Sequence, residues 1–314
     1  MSIRVRREKR GAKTDGRDAA RVRREIASAL GIVLALLGIA GMAHAVKNAV
    51  DPANLPIGDG KYSTTAAQRG YVYLCHAQAG GGGATVQGPW IHDDGTWDST
   101  AKAEVDGSVS WPTAYVSITK SGGTRTITSN DLPTNHTTGV FPIQPSDDAY
   151  QYDPNPGAIA ASSRSWELPA KPKKGPPQCM GGEAGIAVNG VDIYNPLDAL
   201  LRDANAHELQ DHCDGHPNAH GYHYHSIPKC LYSGRSRKKP PVTVGFAYDG
   251  FPITSPFEDG ERLTNADLDV CHGKTSKVKV DGKLKRTYHY VATREYPYVV
   301  GCFRGTQIAA GVPR

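Results

Sequence analysis

The chain has 314 residues, with 36 Lys+Arg against 31 Asp+Glu and a formal net charge of +5. Ten of the basic and four of the acidic residues fall within residues 1–45, leaving 26 against 27, so the rest of the chain is nearly neutral and lacks the basic surface that nucleic-acid binding needs. Beyond residue 45 the chain is still long enough for one large domain or two small ones.

Taken in order, residues 1–25 are arginine-rich, residues 26–42 are apolar, and Ala43-His44-Ala45 offers an A-x-A cleavage site. Basic, apolar and small-residue regions in that sequence read as an export signal, and Arg23-Arg24-Glu25-Ile26 is a loose twin-arginine match. The alternative is an uncleaved anchor, its apolar run at the short edge of what spans a bilayer. Residues 46–60 read as a linker and 61–314 as the folded domain, placed in the periplasm or outside the cell.

All six cysteines, Cys75, Cys179, Cys213, Cys230, Cys271 and Cys302, lie beyond the signal. An even count in an exported chain argues for disulfides rather than free thiols.

Short apolar or alternating runs recur along the domain: Gly70–Cys75, Ala114–Thr119, Thr124–Thr128, Gly185–Val188 and Val242–Tyr248. Asp-Gly, Asn-Gly and Gly-Gly turns separate them. The pattern predicts a mainly β fold, antiparallel and sandwich-like. One helix is expected over Pro196–Ala204, opened by Asn195 as cap and Pro196 in the first turn. Gly80–Gly83 reads as a flexible loop, and Arg235-Ser-Arg237-Lys238-Lys239 as a solvated basic loop.

The C-terminal half repeats itself. Gly185-Ile-Ala-Val-Asn189-Gly190-Val-Asp-Ile193 aligns with Gly245-Phe-Ala-Tyr-Asp249-Gly250-Phe-Pro-Ile253, Cys213-x-Gly with Cys271-x-Gly, Tyr222-His-Tyr with Tyr288-His-Tyr, and Cys230 with Cys302. An internal duplication is expected, with copies at 183–232 and 243–304. The symmetry pairs Cys213 with Cys230 and Cys271 with Cys302, leaving Cys75 with Cys179; other connectivities stay open.

Cys213–His225 is the densest chemistry in the chain, gathering His216, His220, His223 and His225. Alternation in a strand puts Tyr222 and Tyr224 on one face and His223 and His225 on the other, the two rings about 6.6 Å apart along the chain. Imidazoles so placed can converge on one transition metal, Cu or Zn, which takes three or four ligands. The expected ligands are His223 and His225, His216 from the preceding loop, and His289 from the equivalent strand of the second copy. His272 is a further ligand or acceptor, and Asp211 and Asp269 are candidates to orient a ring through its other nitrogen. In the second copy Lys274 replaces His216 and Val291 replaces His225, so one site rather than two is expected. Asp249 is explained by its turn, and Arg304 by a surface ion pair.

With these residues the chain resembles the YHYH family of exported bacterial proteins. The resemblance rests on Gly95-Thr-Trp97-Asp, Asn135-His-Thr-Thr-Gly-Val-Phe-Pro142, Gly221-Tyr-His-Tyr-His225, Gly245-Phe-Ala-Tyr-Asp-Gly-Phe-Pro-Ile253, Leu268-Asp-Val-Cys-His-Gly273 and Tyr298-Val-Val-Gly-Cys-Phe-Arg-Gly305, and runs from about residue 60 to 306. It implies the domain type and no particular activity.

Nucleophilic catalysis has no comparable support. There is no G-x-S-x-G elbow, no phosphate-binding glycine loop and no EF-hand loop. The expected partner is therefore a metal ion, held either by a binding module or by a metalloenzyme working through metal-bound water or copper. A structural envelope protein without a ligand is the remaining reading.

Overall fold

The computed structural model describes residues 50–155, 157–234 and 240–308. The expected export segment and the basic run at 235–239 lie outside the described residues. Among the described residues no helix is long and apolar enough to cross a membrane.

The chain is mainly β. Four two-residue strands come first: β1 (Leu55–Pro56), β2 (Tyr62–Ser63), β3 (Val72–Tyr73) and β4 (Thr96–Trp97). A three-stranded antiparallel sheet comes next, formed by β5 (Val116–Ser121), β6 (Thr124–Ser129) and β7 (Arg164–Pro169). Then come β8 (Glu183–Ala187), β9 (Asp192–Tyr194), a four-residue helix α1 (Ala204–His207), β10 (Gly215–Asn218) and β11 (Gly221–Tyr224). The last strands are β12 (Thr243–Ala247), β13 (Pro252–Thr254), β14 (Phe257–Glu258), β15 (Glu261–Arg262), β16 (Gly273–Val280) and β17 (Lys283–Val291).

Eight of these make one sheet in the order β10-β11-β9-β8-β12-β13-β17-β16. The order is a palindrome about β8 and β12, where Ile186 faces Phe246. Each outer end is an antiparallel hairpin, and each hairpin joins the inner strands through a parallel pair, β11 with β9 and β13 with β17. Those parallel pairs correct the all-antiparallel expectation. The long segments 195–214 and 255–272 give the chain room to cross over, which a two-residue turn does not.

Periodicity explains which strands sit where. In β16 Ser276, Val278 and Val280 are buried while Lys277 and Lys279 are exposed, as in a strand solvated on one face. The central strands β8 and β12 are buried along nearly their whole length, so they read as apolar runs. Ile186 and Phe246, 0% and 3% exposed, each contribute roughly 1.5–3 kcal/mol by burial. The three-stranded sheet lies against this centre: Trp166 Nε1 donates to Tyr248 Oη at 3.0 Å, and the Arg125 guanidinium covers the Phe246 ring at 3.8 Å. This is the sandwich-like packing expected from the alternating runs. Asn189-Gly190 and Asp249-Gly250 are the tight turns of the two inner hairpins, with the glycines at φ 93° and 84°.

Two local expectations change. The helix expected over Pro196–Ala204 does not form there: the helix, α1, begins at Ala204, where the expected one ends, and is capped by Asp203. Ahead of it Asp198 accepts from the Leu200 and Arg202 amides and Leu201 takes φ 62°, so the chain turns instead of winding. Packing also begins inside the segment expected to be a linker, since Leu55 is buried and pairs with Trp97.

Three disulfides, Cys75–Cys179, Cys213–Cys230 and Cys271–Cys302, match the pairing expected from the repeat. Among the described residues no cysteine is free.

Candidate metal centre

β10 and β11 form the hairpin that carries the site. Their register sets His216 opposite His223, on one face of the ribbon. His225 comes just after β11 with the same parity as His223. The tyrosines alternate to the other face, where Tyr222 Oη donates to Asp211 at 2.9 Å and Tyr224 Oη lies 2.6 Å from His136 Nε2. Gly221 opens β11 at φ 142°, and a Cβ there would fall 1.9 Å from Asp131 Oδ2, so only glycine lets the strand start at this place.

The three imidazoles are 3–4% exposed, and each offers a nitrogen within 4.8 Å of the others. Two rings are oriented by the backbone. His225 Nδ1–H donates to the Asn195 carbonyl at 2.6 Å, and His223 Nδ1–H to the Gly221 carbonyl at 3.3 Å. Both Nε2 atoms therefore face inward, 3.1 Å from each other. Tyr194 stacks on His223 with centroids 4.2 Å apart and fixes that ring from the side. Neither nitrogen of His216 has a hydrogen-bond partner among the described residues.

Electrostatics keep the rings neutral. Burial first, then the neighbouring imidazoles, holds His216 well below the usual histidine range. Burial and His225 do the same to His223. Burial pushes His225 down to about 4, against the opposing pull of the Asn195 carbonyl. Neutral imidazole is the form that ligates a metal.

Glu208 completes the surroundings and was not singled out from the sequence, where no spacing ties it to the histidines. It caps the C-terminus of α1, its N–H bonded to the Ala204 carbonyl. Its Oε2 lies 3.5 Å from His216 Nε2 and 3.4 Å from His225 Nε2, too poorly aligned to count as a hydrogen bond. Burial, with Asp198 and Asp153 adding repulsion, pushes its carboxyl up to about 8. The only hint in the sequence is an acidic residue between Ala206 and Leu209, both fully buried.

The structure brings His216, His223 and His225 together and sets His289 and His272 apart. β17 lies five strand positions from β11, about 24 Å at a spacing of about 4.8 Å per strand. His289 is fully buried between Thr254 Oγ1 at 2.9 Å and Ser276 Oγ at 3.0 Å. His272 Nε2 meets Thr293 Oγ1 at 2.9 Å. The expectation that both join the cluster is thus corrected: the hairpins stand at opposite ends of the sheet, and each outlying ring has hydroxyl or backbone partners. Asp211 and Asp269 do not orient a histidine either. Each accepts from a tyrosine, Tyr222 or Tyr288, and from the amides of its own cysteine loop. Asp249 is buried and accepts from Tyr290 and the Arg304 and Gly305 amides, while Arg304 reaches Asp269 at 3.9 Å.

The three histidines and Glu208 line an open cleft of about 1050 Å³ whose walls include Tyr194, Asn155, Asn218 and the Gly81–Gly83 loop. A second cleft, about 950 Å³, is lined by Lys102, Asp214 and Arg262 and contains none of the three. The chemistry sits in the first.

No curated protein and no solved structure matches the chain. The model of the YHYH protein family matches residues 165–263, a stretch that holds β8 to β15, all three histidines and Glu208. By that match the chain carries a YHYH domain, and its candidate metal centre lies within it.

Proposed function

We propose that this is an exported, disulfide-stapled protein whose His216, His223 and His225 bind a transition metal, copper or zinc. The observation that carries the reading is the convergence of three buried imidazoles, each offering a nitrogen within 4.8 Å of the others, with the His223 and His225 Nε2 atoms 3.1 Å apart. Imidazole donors suit zinc and copper. Three disulfides fit an oxidising compartment.

A metalloenzyme is the second reading, favoured by the open cleft above the rings and by the carboxylate of Glu208 beside them. The test comes before either: metal analysis of the purified full chain after reconstitution with Zn(II) or Cu(II). One ion per chain is expected, and its loss in a His223→Ala/His225→Ala double variant. A wild-type chain that takes up no metal leaves the histidines a structural role only.

A further inference from the structure

We propose that Glu208 is the fourth ligand of this centre, closing a shell of three imidazoles and one carboxylate that favours a divalent over a monovalent ion. The inference rests on the proposed metal binding and adds a donor to it.

Distance is the first argument. Four donors at about 2.0–2.1 Å in a tetrahedron stand about 3.3–3.4 Å from one another. Of the six separations among these four donors, three are 3.1 Å between His223 and His225, 3.4 Å from Glu208 Oε2 to His225, and 3.5 Å from Oε2 to His216, and the three imidazole nitrogens lie within 4.8 Å of one another. The first three lie near the edge length of such a tetrahedron, and the two carboxylate contacts are too poorly aligned to be hydrogen bonds.

Burial is the second. Glu208 is 8% exposed, and its Oε2 has no hydrogen-bond partner among the described residues. A buried carboxyl oxygen without a partner is costly, because it has lost its hydration and gained no bond in exchange. The nearest guanidinium, Arg202, is already committed to Asp198 and to the Ala84 carbonyl. The backbone that carries Glu208 is held in place. The amide of Glu208 is bonded to Ala204, and that of Leu209 to Asp153 Oδ2 at 3.2 Å.

The other half of the sheet supplies a comparison. There Lys274 pairs in register with His289 as His216 pairs with His223. Its ammonium contacts Glu258, a carboxylate with a built-in cation. Where the first half has His216 and Glu208 instead, Lys102 and Arg202 act on the carboxyl electrostatically, and among the described residues neither makes a hydrogen bond or ion pair with Oε2. Neutral imidazoles add no charge, so a carboxylate in the shell stabilises a doubly charged ion more than a singly charged one. Carboxylate oxygen is also a poor donor to soft Cu(I).

The test is a titration of metal-free full chain with Zn(II), Co(II) and Cu(I), for wild type and Glu208→Gln. Wild type should bind one Co(II) with the intense visible bands of a four-coordinate ion. Glu208→Gln should lose more Zn(II) affinity than the about 10–100-fold typical of losing an outer-shell partner, with Cu(I) affinity unchanged. Wild-type Zn(II) affinity in Glu208→Gln overturns the assignment of Glu208 and leaves the three-histidine site standing. Absence of binding in wild type overturns the metal reading itself. Should Glu208→Gln fail to fold, Glu208→Asp decides: the shorter carboxylate keeps the charge and withdraws the oxygen, and undiminished Zn(II) affinity there also overturns the proposal.

Discussion

His289 is held neutral by its own burial. It is 0% exposed, both ring nitrogens meet hydroxyls, and burial pushes it down to about 4 from 6.5 despite the nearby Glu258 carboxylate, with Lys274 pushing in the same direction as burial. Between those two values the unfolded chain takes up a proton that the folded one refuses. Stability from this residue is therefore complete above about pH 6.5 and drains as pH falls toward 4, by roughly 3 kcal/mol over the full interval. His289→Gln cannot take the proton. We expect that variant, whatever its starting stability, to lose less between pH 7 and pH 5 than wild type does, measured by urea unfolding in the presence of a chelator. Equal losses in the two proteins would show that His289 does not govern this limb. At this scale the alternation of Tyr222 and Tyr224 against His223 and His225 was legible, because a strand leaves side chains only two directions. Glu208 was not, because its place depends on how α1 packs against a hairpin that begins seven residues later.

Among elements, the hairpin of β10 and β11 carries His216 and His223, with His225 one residue beyond it, and Cys213–Cys230 ties its base to the segment that follows. The matching bridge at the other end of the sheet is Cys271–Cys302. We read the palindromic strand order as the duplication of one β unit, with copies at 183–232 and 243–304, one of which keeps the imidazoles. Cys213→Ser/Cys230→Ser should then lose about 3 kcal/mol, as expected for a loop of this size, and should also bind Zn(II) more weakly. Cys271→Ser/Cys302→Ser should lose comparable stability with its Zn(II) affinity intact. Urea unfolding and a zinc competition titration on both double variants check this, and equal metal affinities in the two would defeat it. Repeated Asn-Gly and Asp-Gly turns made the inner hairpins readable, and the repeat made the disulfide pairing readable. The parallel pairs were not, since nothing local in Asp192–Tyr194 or Pro252–Thr254 states which neighbour a long crossover will choose. The same limit misplaced His289: repeat logic says that two hairpins are equivalent, and leaves open whether they stand side by side or five strand positions apart.

For the whole molecule, Val50–Arg314 forms one compact unit that contains the site. The proposed donors come from the end of α1, from β10, and from β11 with the residue after it. Unfolding any of these segments scatters the ligands, so an ion bound to the folded chain should resist local opening of each of them as well as global unfolding. Mass action sets the size: a ligand at a thousand times its dissociation constant adds about 4 kcal/mol. In a chain of this length each kcal/mol moves the midpoint by roughly 2–4 °C, so saturating Zn(II) should raise it by about 8–16 °C. The rise should vanish with a chelator and in His223→Ala/His225→Ala, and calorimetry on the full chain reads both. A wild-type midpoint unmoved by zinc that does bind would mean that the hairpin opens on its own before the sheet, with the ion holding only its edge.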